Sequence, residues 1–243
     1  MPSIAEWSGR PDELPAFVRW QQDGEKHDRA GDYAWMAERL PVGRVLEIGC
    51  GVGFGTRALC KRGATVLALE PETDCIAIAN ARCAESAGES PSGVAVRFLQ
   101  AGVGEVDAAA RAEIERFAPE WVVCWLMGAD DSALDRQLPA AQAVQKYREA
   151  VHRQVAELAA SLSSVRGVQL VDRTAFPWKI KDTARETLVT YHQATSFSGL
   201  PFALGIEDAI YRKLDQHQWP SPAGLGRHAG IVPVLGSLLA RRF

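Results

Sequence analysis

The residues best placed by type and spacing to do chemistry begin at Val45. The run Val45-Leu46-Glu47-Ile48-Gly49-Cys50-Gly51-Val52-Gly53-Phe54-Gly55 joins an apolar segment, an acid and glycines at alternate positions. Without Cβ, such a loop turns tightly and lets a ligand lie against backbone. A helix starting there aims its first N–H groups at that ligand. The dinucleotide pattern GxGxxG fails here, because its third glycine falls on Phe54. Glu47, two residues before Gly49, would also face an anionic pyrophosphate at short range, which is unfavourable. A ligand with an ammonium group and no phosphate suits this acid better.

Elements of matching period surround the loop. Arg44–Ile48 reads as a strand and Gly55–Arg62 as a helix ended by Gly63. Ala64–Leu69 is a second strand closed by Glu70, with Pro71 at the start of a helix running to about Ala87. Val94–Leu99 alternates as a third strand, and Val106–Phe117 is a charged helix. Trp121–Met127 is a near-continuous apolar run, which suits a strand buried on both faces of a parallel sheet. Ala140–Leu162 is a long amphipathic helix and Gly167–Val171 a fifth strand. The fold expected is α/β, a Rossmann-like doubly wound, mostly parallel sheet with helices on both faces. Before it, Pro11–Gln22 and Gly31–Leu40 read as two helices separated by the polar stretch Gln22–Arg29. Residues 1–40 are therefore an N-terminal helical cap and 41–243 the main domain. After residue 174 the pattern predicts a helix over Phe202–His217 and a last strand over Gly230–Arg241. Residues 174–230 are expected to contribute to a second substrate's pocket.

On the glycine run and on Leu69-Glu70-Pro71, the chain resembles the class I S-adenosylmethionine-dependent methyltransferases. The resemblance covers about residues 42–130. It implies S-adenosyl-L-methionine as cofactor and S-adenosyl-L-homocysteine as product. The implied cofactor contacts are Glu47, Gly49, Cys50, Gly51, Gly53, Glu70, Pro71, Gln100, Ala101 and Leu126. Glu70, at the end of a strand, would accept hydrogen bonds from both ribose hydroxyls. The family's acid after the third strand is missing, because Gly102 holds that place. Adenine would then rest on backbone groups, Gln100 or apolar packing.

A methyl carried on a sulfonium is already activated, so the protein mainly aligns it with its acceptor. A base is needed only if the acceptor must lose a proton. Asp130, with Asp131, follows the fourth strand at the sheet edge where open α/β sites lie, and His192 falls in the irregular 174–201 segment. These two, Asp130 and His192, are the catalytic candidates. His27 is a weaker third, and His152 reads as structural. Trp178 and Phe197 could face a planar acceptor. No metal is expected, since Asp172 is followed by Arg173, which would repel a cation.

Composition agrees with this reading. The chain has 243 residues, 47% hydrophobic and 23% charged, enough for a sizeable core. Its 27 basic and 30 acidic side chains argue against a nucleic-acid backbone as partner. After the fourth strand, Leu126-Met127-Gly128-Ala129-Asp130 lacks the Asn/Asp-Pro-Pro-aromatic run of enzymes that methylate base amines or amides. No apolar stretch is long enough to span a bilayer, Met1–Glu13 has no secretory h-region, and the five cysteines show no paired spacing. A cytoplasmic enzyme methylating a small-molecule acceptor at oxygen or nitrogen is expected. The alternatives are a non-methyl-transfer reaction with the same cofactor, or a nicotinamide-dependent oxidoreductase.

Overall fold

Strand alternation sets the architecture. In the computed structural model, which describes residues 16–85, 96–128, 133–215, 219 and 230–243, strand β1 spans Arg44–Ile48. Its residues Leu46 and Ile48 point to one side and Val45 and Glu47 to the other. Strands β2 (Thr65–Glu70), β3 (Val96–Gln100), β4 (Trp121–Trp125) and β5 (Gly167–Pro177) follow. The strand order is β3-β2-β1-β4-β5, all parallel, with Ile48 flanked by Leu69 and Cys124. Strand β4 is buried throughout, as its unbroken apolar run requires.

Helices cover both faces. Helices α1 (Ala16–Arg29), α2 (Asp32–Glu38) and α3 (Phe54–Lys61) lie on the Glu47 side, where Met36, Leu40 and Leu59 pack against Val45, Val66 and Trp125. Helix α4 (Thr73–Glu85) packs beside α3. Helices α5 (Ala108–Phe117) and α6 (Ala140–Ala160) cover the other face, where Ile114 and Val155 meet Leu46, Leu67 and Leu170. The buried Gln169 side chain ties α2 to the sheet. It accepts from Trp125 Nε1 at 3.1 Å and donates to the Met36 carbonyl at 3.2 Å and to Ser237 Oγ at 3.0 Å.

The two ends of the chain depart from the sequence reading. Helix α1 runs unbroken to Arg29, so the polar stretch Gln22–Arg29 is its C-terminal half. Its polarity reflects a helix with one buried stripe, and Gly24 stands where a Cβ would collide with the Phe54 ring. Strand β5 continues to Pro177, followed by α7 (Lys181–Ala194). The helix expected over Phe202–His217 is instead β6 (Phe202–Ala203) and β7 (Ala209–Lys213). Both pair antiparallel with β8 (Ile231–Arg242), which also pairs with β5 over eleven positions. Gly205 interrupts the helical pattern, and the partner strand overrides what periodicity remains. The last strand agrees with its expected span.

Candidate functional site

A cavity of about 670 Å³ opens at the C-terminal ends of the first four strands, between the glycine loop and α1. That volume suits a cofactor-sized ligand, and the edge is where open parallel sheets bind theirs.

The loop that forms its floor is held by its own backbone. The Gly49 and Cys50 amides donate to the Leu69 carbonyl at 2.8 and 3.2 Å. Glu70 then joins loop to strand, accepting from the Gly51 amide at 2.8 Å and the Glu72 amide at 3.1 Å. Burial raises the Glu70 pKa, and those two amides oppose the rise. Each carboxylate oxygen keeps a lone pair for a ligand hydroxyl. A Cβ on Gly51 would meet nothing within 4 Å, so this part of the cradle is open.

Glu47 lies deeper. It is buried and accepts from the Thr56 hydroxyl at 2.6 Å. A Cβ on Gly55 would strike its carboxylate and come within 3.2 Å of the Trp125 ring, so any larger residue at this second position of α3 would have to displace Glu47. Burial pushes the Glu47 pKa up to about 7, the Thr56 hydrogen bond pulls it down, and the Glu70 charge adds to the rise. A buried carboxylate with so little compensation favours a cationic ligand. At the end of β4, Leu126 sits at φ 54°, a left-handed conformation that strains a residue with a side chain. Its amide donates to the Val171 carbonyl at 2.7 Å, and the residue lines the cavity.

Of the ten residues implied as cofactor contacts, Glu47, Gly49, Cys50, Gly51, Glu70, Pro71, Ala101 and Leu126 line this cavity. Gly53 and Gln100 do not. Gly53 has φ 84°, and its Cβ would come 2.7 Å from Ala79, so its role is the close approach of α3 to α4. The exposed Gln100 side chain turns away to donate to Thr73 Oγ1 at 2.9 Å and the Pro71 carbonyl at 3.3 Å. Gly102, in the place of the family's acid, is part of the wall beside Ala101 and Val103.

The catalytic candidates separate. Asp130 and Asp131 lie outside the described residues. His192 lines a second cavity of about 270 Å³ under α6 and α7, with His152, Asp172 and Tyr191. Its Nδ1 lies 3.0 Å from Ser196 Oγ, and burial first, then His152, lowers its pKa to about 4. Of residues 174–230, expected to contribute to the second substrate's pocket, none of the described ones lines the large cavity. Phe197 is part of the α6-side core, and Trp178 stacks beside Phe176 with Lys213 Nζ 4.2 Å from its ring centre. Neither lines the large cavity. Alternation along β5 turns Asp172 towards α6 and Arg173 towards α1, where Arg173 donates to Asp23 at 3.3 Å. The cation facing Asp172 is Arg148, 3.8 Å away. Among the described residues no group of three or more His, Cys, Asp or Glu could hold a metal.

His27, the weaker candidate, is the histidine in the large cavity's wall. It is buried in the last turn of α1, with Nδ1 2.7 Å from Asp32 Oδ2. Asp32, equally buried, accepts from Arg212 Nε at 2.7 Å through its other oxygen. The sequence reading missed Asp32 and Arg212. Gly31, in the left-handed conformation at φ 72°, is the local signal that brings Asp32 back beside His27. Arg212, 180 residues away, has no local signal.

Residues 46–133 match a family model described as a methyltransferase domain. A geranyl diphosphate methyltransferase solved with S-adenosylmethionine is 13% identical, with 97% of this chain and 93% of that one covered and a TM-score of 0.51. Geranyl diphosphate C-methyltransferase from Streptomyces coelicolor A3(2), solved with Mg2+, geranyl diphosphate and S-adenosyl-L-homocysteine, is 12% identical. There 97% of this chain and 86% of that one are covered, with a TM-score of 0.50. A search of curated proteins found no match. At these identities the structures share a fold.

Proposed function

We propose that this chain, a class I S-adenosylmethionine-dependent methyltransferase by its domain at residues 46–133 and its fold, methylates a small-molecule acceptor at oxygen or nitrogen. The observation that carries this reading is the pairing of two buried carboxylates, Glu47 and Glu70, around an open glycine cradle. The buried Glu47 suits an ammonium group, and Glu70, with lone pairs to spare, suits vicinal hydroxyls. Gly49, Gly51, Pro71, Ala101 and Leu126 would hold the remainder of the cofactor. When bound, that cofactor supplies a methyl group activated by its sulfonium. The protein's own contribution is alignment and exclusion of water. Trp20, Tyr33, Trp125 and Tyr147 line the same cavity, with Arg19, Arg148 and Arg173. That mixture of aromatic and polar groups supports a small acceptor held inside the cavity. A cytoplasmic location belongs to the same reading, supported by five free cysteines. Among the described residues no helix is long and apolar enough to cross a membrane.

Calorimetric titration with S-adenosylmethionine, S-adenosylhomocysteine and NAD tests the cofactor. Both adenosyl ligands should bind, and Glu70→Ala should weaken them about 100-fold by removing charge-assisted hydrogen bonds. Folded protein that binds neither sinks the reading, and NAD binding in their place moves the chain to the oxidoreductases. Release of S-adenosylhomocysteine on turnover separates methyl transfer from other uses of the cofactor.

A further inference from the structure

We propose that His27 is the general base of the reaction, taking the proton from an acceptor hydroxyl or amine at its Nε2. The inference rests on the methyl-transfer reading above. A carboxylate only accepts hydrogen bonds, so the 2.7 Å contact from His27 Nδ1 to Asp32 makes Nδ1 the proton-bearing nitrogen of the neutral ring. Nε2 then carries the lone pair, and it is buried with no hydrogen-bond partner. Asp32 is itself fixed by Arg212 Nε at 2.7 Å, so imidazole, carboxylate and guanidinium form one oriented chain. Trp219 stacks on the imidazole at 4.3 Å and holds the plane of the ring.

Other charged groups sit around this pair. Lys26 Nζ and the Arg173 guanidinium lie 5.1 and 4.3 Å from the centre of the Trp219 ring, on which His27 also stacks. Asp23 pairs with both cations, each at 3.2–3.3 Å. Tyr33 meets the His27 ring edge-on, and Glu47 is part of the same cavity wall.

In the step proposed, the acceptor's O–H or N–H bond breaks and its proton passes to Nε2. The electron pair left on the acceptor would form the bond to the methyl group that the cofactor supplies, with S-adenosylhomocysteine as the leaving group. The imidazolium so formed is stabilised by Asp32 and afterwards loses its proton to water.

The test uses the full chain saturated with S-adenosylhomocysteine, with 4-nitrophenol as a chromogenic stand-in for the acceptor. Below the probe's own pKa, wild type should show the phenolate band and His27→Gln should not, while S-adenosylhomocysteine affinity stays within twofold. Asp32→Asn should weaken the band without abolishing it. Nitrogen NMR of the histidine rings should find the His27 proton on Nδ1. For any phenol or amine that wild type methylates, His27→Gln should lower kcat on the order of 10²–10⁴-fold. No phenolate band on ligand-saturated wild type, an undiminished band in His27→Gln, or a proton on Nε2 overturns the proposal. Failure of S-adenosylhomocysteine to bind overturns the methyltransferase reading instead.

Discussion

The molecule holds two histidine–aspartate arrangements on opposite faces of one sheet, and they are built differently. On the α1 side, His27 and Asp32 meet at 2.7 Å and Arg212 holds the second carboxylate oxygen. On the α6 side, His152 Nε2 stands 3.3 Å from Asp172, and Arg148 stands 3.8 Å from its other oxygen. The first is a chain of aligned hydrogen bonds. In the second, Arg148 Nε, His152 Nε2 and Asp172 Oδ1 are buried without a hydrogen bond. The electrostatics follow. Burial pushes Asp172 up to about 6, against the pull of Arg148 and His192. It lowers His152 to about 4, with the Arg148 charge adding to the fall. Proximity alone therefore leaves two neutral rings and an under-solvated acid. Alignment by a third partner makes an oriented pair, and its histidine lines the cavity of the glycine loop.

The contrast is open to direct test. Removing Asp32 strands His27 and the Arg212 guanidinium, so Asp32→Ala should cost about 3 kcal/mol in urea unfolding. Asp172→Ala removes a carboxylate whose pairs are loose and should cost under about 1 kcal/mol. Equal losses would break the comparison.

The pH dependence of stability comes next in size. His152 and His192 have folded pKa values of about 4, below the ordinary 6.5, so the native state binds fewer protons than the unfolded chain between those values. Stability should therefore rise with pH from about 4 to 6.5. Asp172, raised from 3.8 to about 6, opposes that rise over most of the window, because the native state there binds the extra proton. His192→Gln should remove about 2 kcal/mol of the difference between pH 4 and pH 7. An unchanged slope would show that His192 titrates normally.

A smaller effect distinguishes the carboxylates. Glu47, raised to about 7, should lose its proton when a cationic ligand arrives. S-adenosylmethionine affinity should then improve about tenfold between pH 6 and 8, with proton release seen by calorimetry in buffers of different ionisation enthalpy. Glu47→Gln should bind more weakly and without that slope. A pH-independent affinity in wild type would argue that Glu47 does not meet the ligand's ammonium.

Much of the first half of the chain is legible residue by residue. Strands β1, β2 and β4 each carry an apolar run closed by a glycine or a charge, β3 alternates, and each pairs with a parallel neighbour, which leaves little room for another arrangement. Glu47 and Glu70 could be named because strand alternation and strand ends place them without knowledge of the partner elements. Gly53 and Gln100, implied with them, do not line the cavity, for the opposite reason. Both are adjacent to the cavity in sequence, and their surroundings, Ala79 and Thr73, come from α4. The segment Phe202–Lys213 reads as helix until β8 is in place beside it.

What the sequence determined by itself was therefore local: the glycine loop, the acids beside it, the parallel strands and the faces they bury. These follow from backbone sterics and from periods of two and 3.6 residues, which act within a few residues of their cause. Only the tertiary structure decided which histidine shares the loop's cavity. In sequence His27 stands in a polar stretch and His192 in a segment without a clear pattern, and neither carries a sign of the cavity it faces. The sheet separates them, because α1 packs against α2 and α3, which cover the Glu47 face, and α7 beside the antiparallel strands. Arg212, brought to Asp32 by β7, completes the pair across 180 residues. Contacts of that separation are set by packing of whole elements, and no local pattern encodes them.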